Sequence, residues 1–174
     1  MTDSGSVSSL TLAGEINRLL RDRTDITLAA AESCTGGSVA KALTAFAGSS
    51  NYVLGSIVSY VNRAKAELLG VPETILAKRG AVSTECAIAM AEGARRVFHA
   101  DIAVSTTGIA GPGGATERKP VGLVYTAIAS ADGTMSMEYH FSGDRLAVTE
   151  AATQAALQSL LDSVTSAIAA SPSN

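Results

Sequence analysis

The sequence predicts an α/β protein, a three-layer α/β/α sandwich around a mixed, mainly parallel sheet. Short apolar runs alternate with segments whose apolar residues recur at helical spacing, the pattern of strands joined by crossover helices. Asp132-Gly133 lies between two strand-like segments and favours a hairpin, which adds an antiparallel pair. The length of 174 residues and the 47% hydrophobic content fit one domain with a substantial core.

The elements of the first hundred residues follow from periodicity and from capping signals. Apolar residues at helical spacing predict the first helix, and a short apolar run predicts a buried strand. Asn62 and Ser83 are good N-caps, Pro72 is a good helix start, and Gly70 and Gly80 are good helix stops. The predicted order is helix 9–23, strand 26–31, helix 37–46, strand 52–60, then helices 62–69, 72–80 and 83–98.

The rest of the chain is predicted from turn residues and from alternation. A strand over 102–107 leads into a glycine-rich loop over 108–120, and a second strand covers 121–129. Beyond the Asp132-Gly133 turn, apolar residues alternate with polar ones, as expected of a half-exposed antiparallel strand. Asp144 is a candidate N-cap for a long last helix that ends near residue 170.

The domain boundaries follow from this pattern, and composition excludes several classes of function. Residues 1–8 are Ser-rich and are expected to be disordered, residues 9–170 to form a single domain, and residues 171–174 to form a tail. A net charge of −3, 4% aromatic residues and the absence of Trp argue against nucleic-acid binding. We expect a cytoplasmic protein without a membrane segment or a bound metal, because no signal pattern, long apolar stretch or metal-ligand spacing occurs.

The segment AESCTGG places two candidate nucleophiles, Ser33 and Cys34, where a strand gives way to a helix. Sites in open α/β sheets gather beyond the carboxyl ends of strands. If the helix begins near Thr35, the free N–H groups of Thr35, Gly36 and Gly37 would face the Ser33 hydroxyl and form an oxyanion hole. A plain helix cap followed by a glycine turn explains the same residues and is the simpler interpretation of this segment alone.

The base that would activate a nucleophile is less clear from spacing. A thiol nucleophile at Cys34 would normally need a histidine, but His99 is predicted at a helix end and His140 on the exposed strand. In the segment SYVNRAK, Tyr60 ends a strand and Lys65 lies in the first turn of a helix, whose dipole and burial would lower the lysine's pKa. Spacing alone favours an ordinary exposed lysine.

The glycine-rich loop and the start of the last helix are the remaining candidates. The loop GIAGPGG matches neither the dinucleotide fingerprint nor the P-loop, yet Gly108, Gly111 and Gly113 would suit a phosphate or ribose contact through backbone N–H groups. A flexible connection is the alternative. Arg145, in FSGDR, would bind an anion or be solvated.

Several of these motifs occur in an order that resembles a known family. AESCTGG, GSIVSYVNRAKAELLGV, GAVS, GIAGPGG, KPVGLVY and FSGDR together look like the C-terminal domain of the competence/damage-inducible protein CinA, from about Leu10 to the last helix. Stand-alone members of that family are nicotinamide-nucleotide amidases, also called NMN deamidases. Larger members carry an additional N-terminal pyrophosphatase-type domain, whose activity is not transferred to this chain.

The resemblance implies a fold similar to the anticodon-binding-domain-like class and hydrolysis of the carboxamide of nicotinamide mononucleotide (NMN) in pyridine nucleotide recycling. The family's nucleophile matches Ser33, its lysine Lys65 and its tyrosine Tyr60, with no cofactor. We expect NMN to contact Thr35, Gly36, Gly37, Gly108, Gly111, Gly113 and Arg145. A non-catalytic nucleotide sensor in competence or DNA-damage responses remains the alternative, and a homo-oligomer is possible.

Overall fold

Helices cover both faces of a five-stranded sheet. A computed structural model describes residues 7–170, so the predicted disordered segment 1–8 lies mainly, and the predicted tail 171–174 wholly, outside the described residues. The strands are β1 (Leu28–Glu32), β2 (Val53–Val58), β3 (Ile102–Gly108), β4 (Leu123–Ser130) and β5 (Gly133–His140). The helices are α1 (Ser9–Leu20), α2 (Ser38–Leu43), α3 (Asn62–Leu69), α4 (Glu73–Lys78), α5 (Thr84–Phe98) and α6 (Arg145–Ala170).

The sheet has the strand order β2-β1-β3-β4-β5. Strand β1 pairs in parallel with β2 and with β3, whereas β4 is antiparallel to both β3 and β5. Four strands therefore run in one direction, and the predicted hairpin joins the last two. Its turn is Ala131-Asp132, one residue earlier than predicted, because Gly133 already pairs with Ser130 as the first residue of β5. The predicted α/β class and mixed sheet are confirmed.

The residues of β1 show why the fold has three layers. Leu28 and Ala30 pack into one core with α1, α2 and α6, and Ala29 and Ala31 pack into another with α3 and α5. Because successive strand residues point to opposite faces, a strand covered on both sides is apolar throughout. The apolar residues 28–31 of β1 therefore indicate an interior strand with helices on both faces, and β1 lies between β2 and β3.

Most of the predicted helix signals act as expected. Ser83 caps α5 by accepting the Cys86 N–H, and Asp144 accepts the Ala147 N–H at the start of α6. Two details differ. Helix α2 covers only Ser38–Leu43, because the chain turns at Thr44, and α3 is preceded by Val61 as its N-cap, so that Asn62 is already helical. Between residues 7 and 170, no helix has the length and apolarity needed to cross a membrane.

Candidate active site

A cavity of about 300 Å³ opens where β1 and β3 end. Ser33 follows β1 directly, and its N–H donates to the Thr106 carbonyl of β3 at 3.0 Å. The cavity is lined by Ser33, Cys34, Tyr60, Lys65, Ala81, Val82, Thr107, Gly108, Ile109, Ala110, Gly111, Gly113, Gly114 and Arg145. Residues from four separate segments of the chain thus surround the serine predicted as the nucleophile.

Lys65 meets Ser33 inside this cavity. Its Nζ lies 2.9 Å from Ser33 Oγ and 2.7 Å from the Ser59 carbonyl oxygen. Helix α3 begins three residues after Ser59, and its first turn directs Lys65 back under the end of β1. The lysine is 1% exposed, and so it is a buried side chain rather than an exposed helical lysine.

The surroundings of Lys65 favour the neutral amine. Burial lowers the pKa of Lys65, and the titratable neighbours that act on it are the thiols of Cys34 and Cys86. Among the described residues, no carboxylate forms an ion pair with Lys65. A lowered pKa makes the neutral amine, the form that acts as a general base, available at lower pH than in an exposed lysine.

Burial has the opposite effect on Cys34, the rival nucleophile, because it disfavours the reactive thiolate. Burial raises the pKa of Cys34 to about 12 and that of Cys86 to about 11. A thiol attacks as the thiolate, and so neither cysteine is reactive near neutral pH. The histidines lie elsewhere: His99 ends α5 with a left-handed backbone, and His140 pairs with Glu138 on β5.

Glu32 is the residue that the sequence reasoning missed. Its buried carboxylate accepts hydrogen bonds from five groups on two segments of the chain, residues 35–40 and β2. They are the hydroxyls of Thr35 (2.7 Å) and Ser56 (3.2 Å) and the N–H groups of Gly37 (2.9 Å), Val39 (3.1 Å) and Ala40 (2.9 Å). An anion at the unpaired N–H groups of a helix start is electrostatically favourable. The sequence did contain a signal for this network. A glutamate at the end of an apolar run is expected to be buried, and a buried carboxylate needs hydrogen-bond donors, which the turn after it supplies.

The hydrogen bonds of this region give other partners to two of the three N–H groups predicted to form the oxyanion hole. The Gly37 N–H donates to Glu32 and the Gly36 N–H donates to the Ser33 carbonyl at 3.2 Å, so neither is directed at the Ser33 hydroxyl. The Thr35 hydroxyl contacts Glu32 and Thr106, each at 2.7 Å. Thr35, Gly36 and Gly37 do not line the cavity, and their hydrogen bonds to Glu32, Thr106 and Ser33 stabilise the backbone that carries Ser33.

Replacing Glu32 by glutamine should destabilise the fold. The amide would direct an NH₂ group at backbone N–H donors, leaving buried donors unsatisfied, and we expect a loss of about 3 kcal/mol in unfolding free energy. Urea denaturation measures this change in unfolding free energy. The matched control is Glu15→Gln, which alters an exposed pair with Arg18 and should change stability little. Equal stability of the two variants would contradict a structural role for the Glu32 network.

Tyr60 and Arg145 form one rim of the cavity. The Arg145 guanidinium donates to the Tyr60 hydroxyl and, at 2.8 Å, to the Gly111 carbonyl. Tyr60 is 58% exposed, and within the described part of the chain its hydroxyl has no hydrogen bond to Ser33 or Lys65. The structure therefore links Tyr60 to the predicted anion-binding arginine rather than to the proposed base.

The glycine loop adjoins this rim, because the Gly111 carbonyl accepts the hydrogen bond from Arg145. Gly111 has a φ of +83° and a Cβ there would lie 2.7 Å from the Val121 side chain, so glycine is required. Lys119 does not face the cavity. Its Nζ donates to the carbonyls of Arg79 and Val82, both at 2.6 Å, and holds the wall that contains Val82. In residues 7–170, no group of three His, Cys, Asp or Glu side chains could hold a metal ion.

Comparisons with known proteins agree with this architecture. The family model of the CinA C-terminal domain matches residues 9–164. A CinA-like protein of Geotalea uraniireducens is 55% identical over 122 residues, which cover 70% of this chain and 29% of the relative. One from Syntrophus aciditrophicus is 52% identical over 144 residues, 82% of this chain and 34% of the relative. The chain thus spans about a third of the length of these relatives.

Solved structures give the same result. The competence damage-inducible protein A (ComA) of Klebsiella pneumoniae superposes with a TM-score of 0.85 at 34% identity, covering 91% of this chain and 98% of that one. The competence/damage-inducible protein CihA of Agrobacterium tumefaciens gives 0.82 at 39% identity, covering 88% and 95%. On the family match, these relatives and the shared fold, the chain belongs to the CinA C-terminal domain family.

Proposed function

We propose that this chain is an amidase that hydrolyses the carboxamide of NMN to nicotinate mononucleotide and ammonia. Ser33 is the nucleophile and Lys65 is the general base. The observation that carries the proposal is the 2.9 Å contact between Ser33 Oγ and the buried Lys65 Nζ. The resemblance described above supplies the substrate, and the geometry supports the reaction type.

The acylation half-reaction uses the two contacts of Lys65. In the structure Lys65 Nζ donates to both Ser33 Oγ and the Ser59 carbonyl. In the neutral amine the Ser59 contact is kept and the contact with Ser33 reverses, so that the lone pair accepts the Ser33 O–H. As Ser33 Oγ bonds to the amide carbon, its proton moves to Lys65. When the C–N bond breaks, the Lys65 ammonium returns that proton to the leaving nitrogen, which departs as ammonia.

Deacylation repeats the same proton transfers. Water adds to the ester carbon and gives its proton to Lys65, and the collapse of the adduct breaks the bond to Ser33 Oγ. Lys65 then returns the proton to Ser33, and nicotinate mononucleotide is released. The acyl group is held by a serine whose backbone is fixed by Thr106 on β3, so the reacting atoms keep their positions through both steps.

Arg145 and the glycine loop are the proposed phosphate-binding groups. The Arg145 guanidinium lies on the cavity rim, and the three predicted loop glycines, Gly108, Gly111 and Gly113, line the wall beside it. A guanidinium matches a phosphate with two parallel donors. The cavity's volume falls at the lower end of the range of small-molecule sites.

Ammonia release from nicotinamide, its riboside, its mononucleotide and NAD, together with calorimetric titration of NMN, tests the proposal. We expect NMN to be the preferred substrate. Preference for a different amide would overturn the substrate assignment and leave the serine–lysine chemistry. Heat of binding without ammonia would overturn the amidase and favour the nucleotide sensor.

Replacing Arg145 by alanine should raise KM for NMN about 30-fold, because a charged hydrogen bond to phosphate contributes about 2 kcal/mol. The riboside, which lacks the phosphate, should be nearly unaffected. Arg63→Ala, at an arginine exposed on α3, is the control and should leave both substrates unchanged. A similar loss for NMN and the riboside would show that Arg145 shapes the rim and does not bind phosphate.

A further inference from the structure

Ser59 carries an unpaired hydroxyl beside the proposed catalytic pair. The residue is completely buried, and its Oγ is one of two buried side-chain polar atoms without a hydrogen-bond partner among residues 7–170; the other belongs to Thr126. A buried hydroxyl without a partner is destabilising, and native proteins rarely retain one without a reason. The position of Ser59 next to Lys65 offers a reason for keeping this unpaired hydroxyl.

The backbone of Ser59 is fixed on both sides. Its N–H donates to the Glu32 carbonyl at 2.8 Å, and its own carbonyl accepts from Lys65 Nζ at 2.7 Å. Only the χ1 torsion is free to move the hydroxyl. Because the carbonyl and the hydroxyl belong to one residue, a rotation of χ1 can direct Oγ to the same ammonium group that the carbonyl already contacts.

Lys65 lacks an acceptor once it is protonated. An ammonium has three N–H donors, and the structure supplies two oxygen acceptors, the Ser59 carbonyl and Ser33 Oγ. The other groups that face it are the thiols of Cys34, from the segment after β1, and Cys86, from α5, which are weak acceptors. Among the described residues, the third N–H of the charged form therefore has no strong protein acceptor in the resting site.

We infer that Ser59 is a positioning residue, whose hydroxyl rotates to accept the third N–H of the Lys65 ammonium formed when Ser33 loses its proton. The contact stabilises the charged intermediate and is not needed by the neutral amine, in agreement with the unpaired hydroxyl of the resting structure. The inference rests on the proposed function, since it assigns a partner to the proposed base. Ser59 itself contacts no reacting atom of the substrate.

Ser59→Ala, Ser59→Thr and Ser105→Ala test this inference. Ser105 is the matched control: it is equally buried, but its hydroxyl already donates to the Ala87 carbonyl at 2.6 Å. Ser105→Ala should lower Tm and leave kcat and the pH profile unchanged. Ser59→Ala should keep or raise Tm, lower kcat for NMN about tenfold at unchanged KM, and move the acid limb of the profile to lower pH. Ser59→Thr, which keeps the hydroxyl, should restore both kinetic properties.

Titration of the lysine signals by NMR, without substrate, separates this inference from the proposed function. The chain has four lysines, so the Lys65 signal is assigned by its loss in Lys65→Met. Ser59→Ala should lower the proton affinity of Lys65 about tenfold. An unchanged Lys65 titration in a folded Ser59→Ala protein would overturn the inference even if the enzyme is active. A shifted titration in a protein that releases no ammonia would support the contact and overturn the amidase.

Discussion

Replacing Ser33 by alanine is expected to lower kcat for ammonia release from NMN at least about 10³-fold, because the nucleophile of a covalent mechanism is removed. The dissociation constant of NMN should change only a few-fold, since the side chain is small and the proposed phosphate contacts are made by other residues, Arg145 and the loop glycines. Single-turnover kinetics and calorimetry measure the two quantities. In the unaltered enzyme, mass spectrometry of the quenched reaction should find the acyl group on Ser33.

Cys34→Ala is the matched control for this experiment, because the thiol is the neighbouring nucleophile in the same cavity. Its raised pKa, about 12, leaves almost no thiolate at neutral pH, and we expect activity within about threefold of the unaltered enzyme. The reverse pattern, in which Cys34→Ala is inactive and Ser33→Ala is active, would show that the thiol is the nucleophile.

Replacing Lys65 by methionine should abolish turnover, with a loss similar to that of Ser33→Ala, while leaving the protein folded. Methionine fills a similar volume and carries no charge into a buried site. Thermal unfolding should therefore show an unchanged or higher Tm. Retained activity in a folded Lys65→Met protein would remove the lysine from the mechanism.

The pH dependence of Lys65 has a defined sign. Its pKa in the folded protein lies below the ordinary value of 10.5 because burial disfavours the ammonium. Between the two values the unfolded chain binds more protons than the folded one, so unfolding free energy rises with pH across that window. The stability advantage of Lys65→Met should therefore be largest below the folded pKa and shrink as pH approaches 10.5.

Catalysis should follow the same titration. The ratio kcat/KM should rise with pH through the lowered pKa of Lys65 and then level, since the neutral amine is the active form. A profile that is flat from pH 5 to pH 9 would contradict the assignment of Lys65 as the base.

Local signals in the sequence were sufficient for most of the fold. Ser83, Gly70 and Gly80 mark helix ends in the structure as their chemistry predicts, and the predicted hairpin forms with its turn one residue earlier, at Ala131-Asp132. Such features depend on neighbours in the chain. The order of the strands depends on contacts between distant segments, and periodicity does not encode it.

The site, like the fold, combines features set by local sequence with features set by contacts between distant segments. Spacing alone favoured an exposed Lys65, because 32 positions separate it from Ser33 and only the packing of α3 beneath β1 brings them together. The pairing of Ser33 with Lys65 was predicted from the resemblance to a family and not from the spacing of the residues. Two of the three amides predicted for the oxyanion hole have other partners: the Gly37 N–H donates to the buried Glu32 and the Gly36 N–H to the Ser33 carbonyl, and neither contact is visible in the pattern of glycines.

The interior position of β1, between β2 and β3, has a consequence for the dynamics of the site. Its amides are bonded on both edges, to β2 and β3, and its side chains are buried on both faces, so its hydrogens should exchange with deuterium only through global unfolding. The nucleophile is attached directly to this slowest-exchanging segment. Tyr60, on the solvent-exposed rim, should lie in a region that unfolds locally many times before β1 does. Such local opening would let product leave while Ser33 stays in place.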